Sequence, residues 1–209
     1  MILNKIPIKN DYIQNLICFL ALRLFTMIKT KRFRIKNGDL LYTYYVSFIF
    51  QIIILPLLTA KYYLYNNNYS TIIFSAINYF ISDIPELIYS KSYKYLIHHS
   101  ISIFLLYFSK QLPQPTHLHA VTNLFLLELG SSILSLPVIF KNNYLYKTRP
   151  YVFSLSRILA IINTYFLIKN PILDTKVKYV LSILSTFLIA DNAILLKQLY
   201  YKNKKYRQN

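Results

Sequence analysis

The sequence predicts an all-α fold, a multi-pass transmembrane helical bundle of about seven spans, on three observations. Hydrophobic residues fill 55% of the 209 positions and charged residues only 15%, against about 25% charged in ordinary soluble domains. The apolar residues gather into runs close to the ~20 residues that cross a bilayer. Most of the 24 Lys and Arg residues flank those runs, the placement of side chains that meet anionic lipid headgroups.

The runs lie at residues 11–28, 40–60, 69–89, 93–109, 118–140, 151–169 and 178–199, each bounded to about three residues. The first is the weakest, because it is short and contains Cys18 and Arg23. No small-residue cleavage site follows it, so it reads as an uncleaved signal anchor. The third and fourth are joined by a short turn near Ser90 and Lys91 and form a helical hairpin. Three regions follow: 1–39, a first span with a basic cytosolic loop; 40–200, the main transmembrane domain; and 201–209, a basic cytosolic tail. Seven spans leave seven Lys or Arg residues on the side of the N-terminus and fifteen on the other. The positive-inside rule then places the C-terminus in the cytosol and the sequon Asn68-Tyr69-Ser70 on the lumenal face.

Composition also excludes function classes. Two glycines cannot build a P-loop or a dinucleotide-binding turn, which need several close together. The lone Cys18 excludes an intramolecular disulfide and a thiolate metal cluster. The net charge of +17 would suggest nucleic acid in a soluble chain, but the basic residues flank spans and leave no soluble domain to carry such a surface. Membrane lipids are the expected partners.

Charged groups inside a span cost roughly 2.5–3.5 kcal/mol each on insertion scales, so the few present are informative: Arg23, Asp83, Glu86, Glu128, Arg157 and Asp191, with the pair His98 and His99. In the hairpin, Asp83 and His98 are equally far from the turn and should sit level, roughly 11 Å from it at ~1.5 Å rise per residue. A carboxylate beside an imidazole fixes the tautomer of the ring and raises its basicity. The same pair would also lock two helices by satisfying each other's hydrogen bonds, and both roles stay open. Arg157 lies about six residues, and Asp191 about eight, inside their cytosolic span ends. Four helices thus bring polar groups to one depth.

Glu128 sits deeper, lining the same cavity or bonding across helices, and Pro85 is expected to kink its helix. Glu86 is read as a snorkelling partner of Lys94, and Arg23 as a snorkelling side chain. His117 and His119 belong to the opposite loop, too far from His98 and His99 to share a metal, so no metal site is expected.

With Asp83 and the paired His98 and His99 in this hairpin, the sequence resembles the TLC-domain family, named for the translocating-chain-associated membrane protein, the longevity-assurance ceramide synthases and a neuronal ceroid lipofuscinosis protein. The resemblance runs from about Leu41 to Leu199. Tyr79, Ile81 and Asp83 stand where the family has a "gY-x-I-x-D" helix, and His98 and His99 where it has "HH". Leu126 to Ser131 look like its "LxELS" helix, Phe153 to Arg157 like its "F-x-x-x-R" helix, and Asn192 like the Asn near the end of its last span. The helix after the histidines carries one acid, Glu128, where the ceramide synthase branch has two nearby, so the chain looks more like the shorter TLC branch.

The resemblance implies a protein of the endoplasmic reticulum or a related membrane concerned with lipid metabolism or lipid-dependent trafficking. It makes His98 and His99 the reactive pair of an acyl transfer from acyl-CoA to a membrane lipid or sphingoid acceptor. Asp83 would orient the pair, Arg157, Glu128 and Asp191 would bind substrate, and acyl-CoA would serve as substrate with no cofactor. The alternative from the same residues is a non-enzymatic TLC-type protein for lipid binding, membrane composition or trafficking.

Overall fold

The computed structural model describes the backbone of residues 10–30 and 41–207, and the side chains of 12–30 and 41–201. The basic loop at Lys31, Arg32, Arg34 and Lys36, and the tail side chains Lys202, Lys204, Lys205 and Arg207, lie outside the described residues. Seven long helices account for nearly all of what is described, with no strand among the described residues. They are α1 (Asn10–Thr30), α2 (Leu41–Tyr65), α3 (Tyr69–Tyr89), α4 (Tyr93–Ser109), α5 (His117–Phe140), α6 (Asn143–Lys169) and α7 (Thr175–Arg207). Six are long and apolar enough to cross a membrane; α4, at 17 residues, is the short one. The multi-pass helical bundle expected from hydropathy is therefore what the chain folds into.

Four of the seven helices begin and end within about three residues of the expected spans; α7 runs on past its expected end to Arg207, and α2 and α6 depart for local reasons. α2 ends at Tyr65, where Asn66 takes a left-handed conformation (φ 47°) that asparagine tolerates better than most residues. α6 begins at Asn143 because the Asn142 side chain accepts the free N–H groups of Tyr144 and Leu145, a side-chain N-cap. Pro150 lies inside α6, and Pro85 and Pro137 lie inside α3 and α5. The hairpin turn falls where expected, with Lys91 left-handed at φ 54°.

Helices α3, α4, α7, α6 and α5 close a ring, each packed on the next. α1 and α2 lie outside it, α1 against α3 and α2, and α2 against α5 and α3. The core between these layers is aromatic. Phe50 of α2 stacks on Tyr79 of α3 at 4.2 Å between ring centres, and Phe19 of α1 meets Phe50 edge-on. Outward-facing residues such as Leu57, Phe166 and Phe187 are apolar and exposed, as a surface bathed in lipid would be. Within α2, residues Ile49–Ile54 form a π-helix, with the Leu55 N–H bonding the Phe50 carbonyl five residues back. Pro56 follows directly; its ring would clash with the carbonyl four residues behind it, and the widened turn gives it room.

Candidate functional site

The polar side chains expected within the bilayer converge, but their pairing differs from the expected one. His98 and Asp83 do not meet. His99 Nε2 lies 2.8 Å from Asp83 Oδ2, and His98 Nδ1 lies 2.8 Å from Asp191 Oδ2. Equal distance from a turn sets depth along the helix axis, not direction around it. Successive residues on a helix differ by about 100°, so at one depth His99 faces α3 while His98 faces α7. The two rings stay close, 5.9 Å between centres.

Arg23 is no snorkelling side chain. It is buried on the face of α1 shared by Phe19 and Thr26, and its Nη1 sits 2.8 Å from Asp83 Oδ1. Its Nε donates to Ser82 Oγ at 2.8 Å, and Ser82 Oγ donates to the Tyr79 carbonyl. Arg23, Asp83 and His99 thus form a buried guanidinium–carboxylate–imidazole chain. The other half of the layer is more open: Asp191 also faces Lys94 Nζ at 3.9 Å, and the His98 side chain is 25% exposed. Glu86 pairs with Tyr42, whose hydroxyl donates to Oε2 at 2.7 Å, and not with Lys94. Tyr42 reaches the carboxylate from the start of α2, and Lys94 faces Asp191 instead.

The histidine rings carry opposite tautomers if each donates to its carboxylate. His98 then holds its proton on Nδ1 and His99 on Nε2, leaving His98 Nε2 and His99 Nδ1 with free lone pairs. His99 Nδ1 is buried and has no hydrogen-bond partner. Buried polar atoms are nearly always satisfied, so an unmatched one marks a place for water or a ligand.

A cavity of about 350 Å³ fills the centre of the helix ring, within the size range of small-molecule sites. Its wall on α6 runs from Phe153 to Leu167, about 21 Å at 1.5 Å per residue. Phe80, which meets the His99 ring edge-on at 4.9 Å, and Ser102, one turn below both histidines, line it. Glu128, Arg157 and Asn192 form its polar end, and most of the remaining wall is aliphatic.

Glu128 does what was expected twice over. It lines this cavity and bonds across helices, its Oε2 accepting from Gln51 Nε2 at 2.9 Å, and it lies within electrostatic reach of Arg157, His98 and His99. Arg157 also borders the cavity, but it makes four hydrogen bonds, to Asn192, Leu127, Ser156 and Ser131. A guanidinium has five N–H donors, so Arg157 is first a clamp joining α5, α6 and α7. The clamp depends on Gly130. A Cβ there would lie 1.8 Å from Ser156 Oγ and 2.8 Å from Arg157 Nη1.

Sequence reasoning missed Gln51, and its signal was plain: one amide in the apolar run IFQIII, inside the π-helix. π-helical turns recur at functional sites. His117 and His119 are kept apart from the site, His117 stacked on Tyr69 and His119 bonded to Asn163. Among the described residues no three His, Cys, Asp or Glu side chains gather where they could hold a metal ion. Comparison with family models, with curated proteins and with solved structures gives no match for this chain.

Proposed function

We propose that this protein transfers an acyl group from acyl-CoA to a membrane lipid or sphingoid acceptor, using the buried histidine pair. The observation that carries the reading is His99. Its Nε2 is engaged by Asp83, its Nδ1 is buried without a partner, and its ring packs edge-on against Phe80, which lines an apolar cavity. An aliphatic cavity about 21 Å long suits an extended hydrocarbon chain, and a polar end suits the carbonyl that reacts.

In this reaction the acceptor's amine or hydroxyl attacks the thioester carbonyl. The bond from acceptor to carbonyl carbon forms and the carbon–sulfur bond breaks. The acceptor's proton passes to His99 Nδ1 and from there to the departing thiolate. A positioned base of this kind contributes about 10²–10⁴-fold. His98, held by Asp191 on the more open side, lies nearer an entering thioester, and the charge of Arg157 stabilises the carbonyl oxygen as it becomes negative. Depth in the chain and the basic flanks favour a cytosolic C-terminus, cytosolic access for acyl-CoA, and residence in the endoplasmic reticulum or a related membrane. The resemblance to TLC-domain proteins points the same way.

The test is direct. Membranes holding the wild type, and matched membranes holding the His98→Ala, His99→Ala double variant, are given isotope-labelled acyl-CoA, and all labelled lipids are surveyed by mass spectrometry. A labelled lipid formed only by the wild type is the expected result. Equal products from two inserted, folded proteins would overturn it. One observation favours the non-enzymatic alternative: Asp83, Glu86, Glu128 and Asp191 each have a partner from another helix. Under that reading Asp83→Asn lowers thermal stability and leaves every lipid unchanged.

A further inference from the structure

We infer that Arg23, carried by the first helix outside the ring, is a positioning residue that presents His99 with its lone pair on Nδ1. The acyl-transfer reading enters only in giving that nitrogen a reaction to serve. α1 is the weakest of the spans expected from sequence, short and interrupted by Cys18 and Arg23, yet its buried stripe is polar where it meets α3. Asn15 reaches Ser75, Arg23 reaches Ser82 and Asp83, and the Tyr12 carbonyl accepts from Asn78. A helix serving only as an anchor has no reason to bury a guanidinium. The Arg23 side chain is 9% exposed, with its partners Asp83 at 13% and His99 at 11%.

The geometry explains what the guanidinium does. Asp83 has two oxygens, and Arg23 occupies Oδ1 while His99 occupies Oδ2. Arg23 is itself held at Nε by Ser82, one residue before Asp83 on the same helix. The carboxylate is therefore paired at one oxygen with a guanidinium charge that is tethered through Nε to its own helix. An ionised carboxylate only accepts, so the ring nitrogen facing it must be N–H. That assigns the proton to Nε2 and the lone pair to Nδ1. Without Arg23 the buried carboxylate loses its counter-charge and is held neutral; a neutral carboxyl can donate as well as accept, so neither tautomer is imposed. Asp191 on the other histidine has no such grip, only Lys94 at 3.9 Å. The two histidines are thus set differently by their surroundings, His99 rigid and buried, His98 looser and more open.

The experiment uses the full chain, labelled with ¹⁵N-histidine and placed in lipid nanodiscs. Nitrogen chemical shifts report which ring nitrogen carries the proton. The four histidines are few enough to assign, the His99 signals by their loss in His99→Gln. The wild type is expected to show His99 as the Nε2–H tautomer. Arg23→Gln should give a mixture or the Nδ1–H form, and Arg23→Lys, which keeps the charge, should restore Nε2–H. The signals of His119, bonded to Asn163, should stay unchanged throughout and report an intact fold. A wild-type His99 protonated on Nδ1, or an Arg23→Gln protein with unaltered tautomer, overturns the inference. Should Arg23→Gln not fold, Arg23→Met, which keeps the length of the side chain and removes its charge, takes its place with the same two outcomes. With a labelled lipid product in hand, Arg23→Gln should lower kcat about 100-fold with little change in KM, since about 1 Å of misplacement costs that much. If no product forms while the tautomer follows Arg23, the enzymatic reading falls and the positioning role stands.

Discussion

Replacing Gly130 by Ala tests the packing on which the polar site depends. Alanine is the better helix former by about 1 kcal/mol, so on local grounds the change should stabilise α5. The tertiary contact reverses the sign. The new methyl would lie 1.8 Å from Ser156 Oγ and 2.4 Å from Ser156 Cβ. Turning the serine side chain relieves the first contact but not the second, because Cβ is fixed by the backbone. Ordinary contact begins near 3.4 Å, so α5 and α6 must separate by about 1 Å, and overpacking of this kind costs about 1–3 kcal/mol. The separation also stretches the bonds from Arg157 to Leu127 and Ser131, now 2.7 Å each, at about 1 kcal/mol apiece. The net expectation is a loss of about 3 kcal/mol. Aggregation after heating in detergent, read by size-exclusion chromatography, measures it. Gly130→Ala combined with Ser156→Gly should recover part of the loss, since both Ser156 contacts vanish while the approach to Arg157 Nη1 remains. A Gly130→Ala protein as stable as the wild type, or a double variant no better than the single, would refute the reasoning.

Further outcomes follow from the same geometry. Gln51→Leu strands the Glu128 carboxylate in the core and should cost about 2 kcal/mol, whereas Gln51→Leu with Glu128→Leu should recover most of it; thermal stability of the two proteins in detergent checks this. Ala160, buried on the cavity wall, can be enlarged to Phe: the expected protein inserts and folds like the wild type but forms no labelled lipid, and unchanged product would show that the cavity holds no substrate. Removing His98 and His99 together abolishes the labelled product in the membrane assay. Arg23→Gln redistributes the His99 proton in the nitrogen spectrum, and Arg23→Lys restores it.

The sequence alone determined the architecture. Seven apolar runs became seven helices because a span is defined by length and composition, which are local properties. It also marked most of the charged residues that lie within the helices, since a charge among apolar neighbours is visible without knowing what faces it. Asp83, His98, His99, Glu128, Arg157 and Asp191 all lie at or beside one polar layer for that reason. Only the tertiary structure decided who meets whom. His99 and not His98 took Asp83, because depth can be read from distance to a turn but direction around the helix depends on which neighbours pack against it. Arg23 proved to be buried, because the face of α1 on which it stands is fixed by the packing of α1 on α3. Gln51 reached Glu128 through a π-helix next to Pro56, and Gly130 let Arg157 clamp three helices through an approach that no sequence spacing records. Charge and hydropathy belong to single residues and survive in the sequence; rotation and closeness belong to pairs of helices and arise only when they pack.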